Sequence, residues 1–154
     1  MRSKLHFFTL LTLVMAVSVK TQDQRHELGI ILGEPTGLSY KYWLSARSGV
    51  NAAAAWSFYP EDYLHLHADY IRHLFNMFTI PNGELPLYFG AGAVVRISEE
   101  SSAGARAVGG INYLFEGIPL SLFFELAPRF DLIPSTGAGL NGGIGLRYRF
   151  DLSN

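Results

Sequence analysis

The chain has 154 residues, of which 49% are hydrophobic, 14% aromatic and only 16% charged; it contains no cysteine and carries a formal net charge of -1. The length fits one domain. Lack of cysteine excludes disulfides, thiolate catalysis and Cys-ligated metal, near-neutrality gives no electrostatic case for a nucleic-acid partner, and a charge content below the about 25% of soluble domains suggests that water is not the whole solvent.

The first 24 residues read MRSKLHFFTLLTLVMAVSVKTQDQ. Arg2 and Lys4 make a basic start, Leu5 to Val17 an apolar run, and Ala16-Val17-Ser18 a small-x-small cleavage site, the pattern of a secretory signal peptide over residues 1–18. The run falls short of the roughly 20 residues a spanning helix needs. Cleavage removes two basic residues, so the mature chain is more acidic and begins its life outside the cytoplasm.

After the leader, period-two alternation recurs to the end. The runs are His26 to Gly33, Thr36 to Ser45, Gly49 to Phe58, Tyr63 to His73, Leu87 to Ile97, Ala105 to Phe115, Pro119 to Phe130 and Gly139 to Phe150. Turn signals part them: EPTG, ARSG, YPED, TIPNGELP, EESSAG, EGIP and IPSTGAG. Most runs approach the roughly 9 to 11 residues a tilted strand needs to cross a bilayer, longer than the about 5 to 6 of soluble strands. One face collects Leu28, Ile30, Leu32, Leu38, Tyr40, Val50, Leu66, Phe89, Val95, Leu122, Phe124, Ile144 and Leu146. The other holds Glu27, Ser39, Lys41, Asn51, Ser57, His65, His67, Asp69, Arg96, Asn112, Ser121, Glu125, Arg147 and Arg149, interleaved with Gly and Ala.

So continuous an apolar set cannot fit inside a small barrel, where about eight strands leave room only for packed side chains. It belongs outside, against lipid, and closure leaves no unpaired strand edge in hydrocarbon. The expected fold is all-β, an eight-stranded antiparallel up-and-down transmembrane β-barrel over residues 26–150. Aromatic residues sort to two rims: Tyr42, Trp43, Phe75, Tyr88, Tyr113, Phe115, Tyr148 and Phe150 at one, and Trp56, Phe58, Tyr59, Tyr63 and Phe130 at the other. Two such belts suit interfacial anchoring.

The terminal LRYRF, with Leu146, Tyr148 and Phe150 in alternation, resembles the C-terminal strand signal by which outer-membrane barrels engage their assembly machinery. In this chain four residues follow Phe150, whereas the usual signal ends at the aromatic. With the leader and eight runs, the mature chain is similar to the small barrel found in the membrane domain of outer membrane protein A. EPTGLSYKYWL (34–44), HLHADY (65–70) and NYLFEGIPLSLFFELAPRFDLIPS (112–135) also look like a family of compact bacterial barrels. That resemblance implies a fold and a compartment, the cell outer membrane, but hardly any activity. By analogy with that fold both termini are periplasmic; the outer loops are then short, and the expected partners are outer-membrane lipids, lipopolysaccharide and the barrel assembly machinery, with the chain a monomer.

Several residues invite a chemical role. His65, His67 and Asp69 share one strand face, and an H-x-H pair could chelate a metal; the plainer reading is lumen residues exchanging hydrogen bonds with Asn51, Ser57 and water. Ser57 and His65 lie near one rim and could serve lipid A hydrolysis or acyl transfer. Both sit on the lumen face, however, whereas an acyl chain arrives from the bilayer, and no nucleophile elbow accompanies them. A hairpin centred near Thr136 sets Glu125 opposite roughly Arg147, with Glu27, Lys41, Asp69, Arg96 and Arg149 extending a network. Buried charges persist when paired, so this network is a polar plug or, alternatively, a gated ion path. The leading expectation is a non-enzymatic envelope or surface-contact protein with a filled lumen and no cofactor. A lipid A-modifying enzyme and a narrow pore or small-molecule binder are the alternatives.

Overall fold

The computed structural model describes residues 24–57 and 62–152. The signal peptide expected over 1–18, together with Phe58 and Tyr59, lies outside the described residues.

Eight strands follow in order: β1 (His26–Glu34), β2 (Thr36–Trp43), β3 (Ser48–Ser57), β4 (Tyr63–Leu74), β5 (Leu87–Ile97), β6 (Ser102–Leu114), β7 (Leu120–Ile133) and β8 (Gly137–Phe150). Each pairs antiparallel with its neighbour in sequence, and β1 returns to β8, closing the sheet into a barrel. The closing seam runs from His26 opposite Phe150 to Glu34 opposite Gly142. Among the described residues no helix is long and apolar enough to cross a membrane; the crossing elements here are strands.

The alternation has a physical consequence at every strand. Leu28, Ile30, Leu32, Leu38, Phe89, Phe124, Leu126, Ile144 and Leu146 stand outward and exposed, while Glu27, Lys41, Asn51, His65, Asp69, Asn112, Glu125 and Arg147 are buried within. In water such a wall would be unstable. Against acyl chains it is the low-energy arrangement, and the molecule is an eight-stranded transmembrane β-barrel.

Three strands extend by two or three residues past the sequence reading, while β2 stops two short at Trp43 and the remaining differences are single residues. β6 begins at Ser102 rather than Ala105, β7 continues past Phe130 to Ile133, and β8 starts at Gly137 rather than Gly139. Much of IPSTGAG reads as loop by composition, yet Asp131 pairs with Gly137 and Phe130 with Ala138. A ladder accepts small residues when the neighbouring strand supplies their backbone partners, which composition does not report.

At the end where the termini lie, aromatic side chains crowd the outer surface. His26 stacks on Phe150 at 5.4 Å and lies 5.1 Å from Tyr42; Tyr113 meets Phe115 edge-on at 4.5 Å, and Tyr148 lies 6.5 Å from Phe150. Trp56 and Phe130 are exposed toward the other end. Trp43, Tyr63 and Tyr88 depart from the rim reading. Each has the inward parity of its strand and bonds to an acidic side chain.

Inward glycine has a steric reason at β8. A Cβ on Gly145 would run into the Phe123 ring, which fills the lumen there, whereas one on the outward Gly109 would meet nothing within 4 Å. Gly145→Val is therefore expected to lower the unfolding free energy by about 1 to 3 kcal/mol, the usual cost of overpacking. Gly109→Val should stay within about 0.5 kcal/mol. Urea midpoints for the protein refolded into vesicles measure both, and equal losses would refute the packing account.

Candidate functional site

The chemistry of this chain is gathered in the lumen. Toward the termini, Glu27 on β1 is fully buried and collects four partners. Trp43 Nε1 donates to its Oε1 at 2.8 Å and Ser121 Oγ to its Oε2 at 2.8 Å; Arg149 Nε lies 3.8 Å and Arg147 Nη1 4.0 Å away. Lys41, also fully buried, sets its Nζ 2.7 Å from His73 Nε2 and 4.0 Å from the centre of the Trp43 ring. Arg147 donates from Nε to Ser39 Oγ at 2.9 Å and lies 3.8 Å over the Phe123 ring. Two cations thus rest on aromatic faces, which suits charges taken out of water.

Mid-barrel, Arg106 on β6 bridges two carboxylates. Its Nε is 3.1 Å from Asp69 Oδ1 and its Nη2 is 3.4 Å from Glu125 Oε1, while Tyr88 donates its hydroxyl to Glu125 Oε2 at 2.7 Å. Arg106 Nη1 also lies 3.0 Å from His67 Nδ1. A guanidinium can only donate, so that nitrogen presents its lone pair, and His65 Nε2, 2.9 Å away, is the second donor to it. The two imidazoles are therefore turned onto each other and onto Arg106. Among the described residues no group of three or more His, Asp or Glu is arranged to hold a metal ion.

Toward the far end, Glu34 Oε1 accepts from Ser57 Oγ and, at 3.0 Å, from the Tyr63 hydroxyl; Arg96 sits 4.2 Å over the Tyr63 ring. Ser57 is in register with Tyr63, and Ala55 with His65. Ser57 and His65 both face the lumen, and each donates to another residue, Glu34 and His67. At the rim Arg129 Nη1 pairs with Asp131 Oδ2 at 2.9 Å.

Two corrections follow from the register. Glu125 stands opposite Gly143, and Arg147 opposite Ser121, so the β7–β8 hairpin turns two residues earlier than its composition suggests. Glu125 is consequently the partner of Arg106 and Tyr88, and Arg147 approaches Glu27 instead. Arg106 was overlooked in the sequence, although it shares the parity of Asn112 on the same run. His73 was overlooked likewise, and it shares the parity of Asp69.

Nor is the lumen wholly polar. Ile31, Ile71, Tyr88, Val108, Phe123 and Ala127 form a buried apolar cluster inside the wall. Between the polar and apolar groups, the void lined by His65, His67, Arg106, Glu125 and Asn141 measures about 10 Å³, space for about one water at most. Where the lumen opens toward the termini, a cavity of about 370 Å³ is lined by Trp43, Phe75, Glu84 and Arg149.

This architecture has a solved counterpart. The crystal structure of the N-terminal β-barrel domain of OprF from Pseudomonas aeruginosa superposes with a TM-score of 0.62 at 18% sequence identity, over 81% of this chain and 95% of that one. The two share a fold. No protein family profile matches the sequence, and no curated protein does.

The Asp69–Arg106–Glu125 triad has a measurable energetic signature. Removing one member of a buried ion pair leaves the other uncompensated, at about 3 to 5 kcal/mol. Arg106→Met is expected to lose that much stability, and the triple variant Asp69→Asn/Arg106→Met/Glu125→Gln to recover most of it. Chemical unfolding in vesicles followed by tryptophan fluorescence reads the cycle; a triple variant as unstable as the single would disprove the coupling.

Proposed function

We propose that the chain is an integral protein of the bacterial outer membrane whose filled barrel serves envelope structure or surface contact, without catalysis and without a conducting pore. The observation that carries this is the side-chain filling just described: paired charges and a buried apolar cluster occupy the interior, and the void that Glu34, His65, His67 and Arg106 line toward the far end measures about 10 Å³. A hydrated ion needs a continuous polar path, and Phe123 and Ile71 lie across it fully buried. The likeness to the OprF barrel domain supports the compartment through fold alone.

Partners follow from the surface. The apolar wall meets the acyl chains of phospholipid and lipopolysaccharide, with Tyr42, Tyr113, Phe115, Tyr148 and Phe150 at one headgroup level and Trp56 at the other. Phe58 belongs to that second belt in the sequence reading and lies outside the described residues. The outward row Leu146, Tyr148 and Phe150 on β8 is what barrel assembly machinery would read before β8 closes on β1. The barrel completes its own hydrogen-bonding without a second copy, which favours a monomer. A lipid A-modifying role for Ser57 and His65 draws no support from their placement. Their hydrogen bonds run to Glu34 and His67 on the lumen side.

Cell fractionation with heat-dependent gel migration and planar-bilayer recording test the proposal together. A carbonate-resistant species that shifts on boiling and leaves conductance at the protein-free background is the expected result. Recovery in a soluble fraction would remove the membrane assignment, and reproducible single-channel steps would remove the closed lumen.

A further inference from the structure

Where the lumen opens toward the termini, the cavity of about 370 Å³ combines a wall of rings with charged side chains. Trp43 stacks on His73 with ring centres 4.3 Å apart, Lys41 Nζ stands 4.0 Å from the centre of the Trp43 ring, and half-buried Phe75 lies 6.5 Å from Trp43 and 6.0 Å from His73. Leu114, buried at the end of β6, adds an aliphatic surface to the same lining. The volume is that of a site for a small organic molecule, in which rings and aliphatic groups hold the body and a few charges fix its orientation.

The charges are unequal. Arg25, Arg149 and Glu84 all line the cavity. Half-buried Arg149 approaches Glu27 only to 3.8 Å, and its guanidinium donates no hydrogen bond among the described residues. Arg25 is exposed, one alternation before Glu27; its carbonyl accepts from the Trp43 backbone at 2.8 Å, which ties it to the end of β2, and its guanidinium also has no partner among the described residues. Glu27 cannot neutralise both, since Arg147 lies 4.0 Å from it and Lys41 stands opposite it in the register. Glu84 is held by backbone pairing with Leu114, and its carboxylate forms no ion pair among the described residues. The other acids of this rim do not line the cavity: Glu116 accepts from the Gly83 backbone at 3.3 Å, and Asp151 is engaged in an interaction of its own. At mid-barrel Asp69 and Glu125 are taken by Arg106 and Tyr88. Around the open end of the lumen, therefore, Arg25, Lys41, Arg147 and Arg149 outnumber Glu27 and Glu84.

We propose that this vestibule binds a small organic monocarboxylate, with Arg149 and Arg25 taking the carboxylate and Trp43, Phe75 and Leu114 its apolar body. A guanidinium meets both oxygens of a carboxylate through its planar fork. Glu84 in the same lining repels a second negative charge, which favours a monoanion over phosphate, and the rings favour an organic ligand over a bare ion. The site goes beyond the envelope role proposed above and involves no passage through the barrel, because Phe123 and Ile71 fill the lumen beyond it.

Trp43 lines the cavity, and the protein has two tryptophans, so Trp56→Phe leaves Trp43 as the one reporter. The full-length Trp56→Phe protein, folded in detergent, is titrated with cyclohexanecarboxylate, with cyclohexanecarboxamide and inorganic phosphate for comparison. A saturable change in Trp43 emission with the carboxylate alone is the expected result. In that background Arg149→Gln is expected to weaken binding about tenfold, as loss of a charge-assisted hydrogen bond does, and the more exposed Arg25→Gln about threefold. Arg72→Gln, an equal charge change on the outward face of β4, should leave the affinity unchanged. Absence of a saturable change would overturn the site. So would equal affinity for the amide, which means that charge is not read, displacement by phosphate at the same concentration, which means a free-anion site, or equal weakening by Arg72→Gln, which means general attraction. Heat-dependent migration reports the folding of each variant separately. If Arg149→Gln does not fold, Arg25→Gln decides, and wild-type affinity in a folded variant of either arginine refutes the proposal.

Discussion

Hydrocarbon offers no partner to a free backbone N–H or C=O, so the seam between β1 and β8 is the contact on which the molecule depends. Without it two long strand edges would face lipid, each unpaired group costing several kcal/mol. With it, nine residues of β1 pair with β8 and every strand has two neighbours. Closure with eight strands also makes the lumen narrow. The side chains directed inward cannot be solvated as on an open sheet, and the charged ones pair with one another.

The composition of the interior is a response to that confinement. Glu27 is held by an indole, a hydroxyl and two guanidiniums, and Arg106 is shared between two carboxylates, so these two charges each have several partners. Aromatic rings serve both as filler and as cation supports, as Phe123 does under Arg147 and Trp43 beside Lys41. Gly145 yields the room that the Phe123 ring occupies. Burying so many charges is a poor route to stability by itself. Its reward here is a specific arrangement, since a strand displaced by one residue would turn its charges toward lipid.

The two ends of the barrel are built differently. At the end of the termini the lumen widens into the cavity beside Trp43 and Arg149, and the outer wall carries aromatic rings and the outward Arg72. At the other end the strands join through shorter connections, β1 passing to β2 over Pro35 alone, and Glu34 draws Ser57 and Tyr63 across the mouth. Such short connections present little area for recognition, and the wall itself becomes the larger contact surface.

Much of this was legible in the residues alone. Strict alternation determined that the chain from His26 to Phe150 is mostly strand, that the strands are long enough to span, and that Leu28, Ile30, Phe124 and Ile144 share a face opposite Glu27, Asp69 and Arg147. The reason is geometric: in a strand the side-chain direction repeats every second residue whatever the neighbours are. Tertiary structure decided who meets whom. A slide of two residues keeps every side chain on its face yet changes its partner across the ladder, so Glu125 could read as the mate of Arg147 when the folded hairpin delivers it to Arg106. The interior is also less polar than the polar face reads, because Ile31, Ile71 and Val108 share the parity of the charged residues and are buried among them. Face is a property of one strand; register, and with it every ion pair in the lumen, exists only once eight strands have closed.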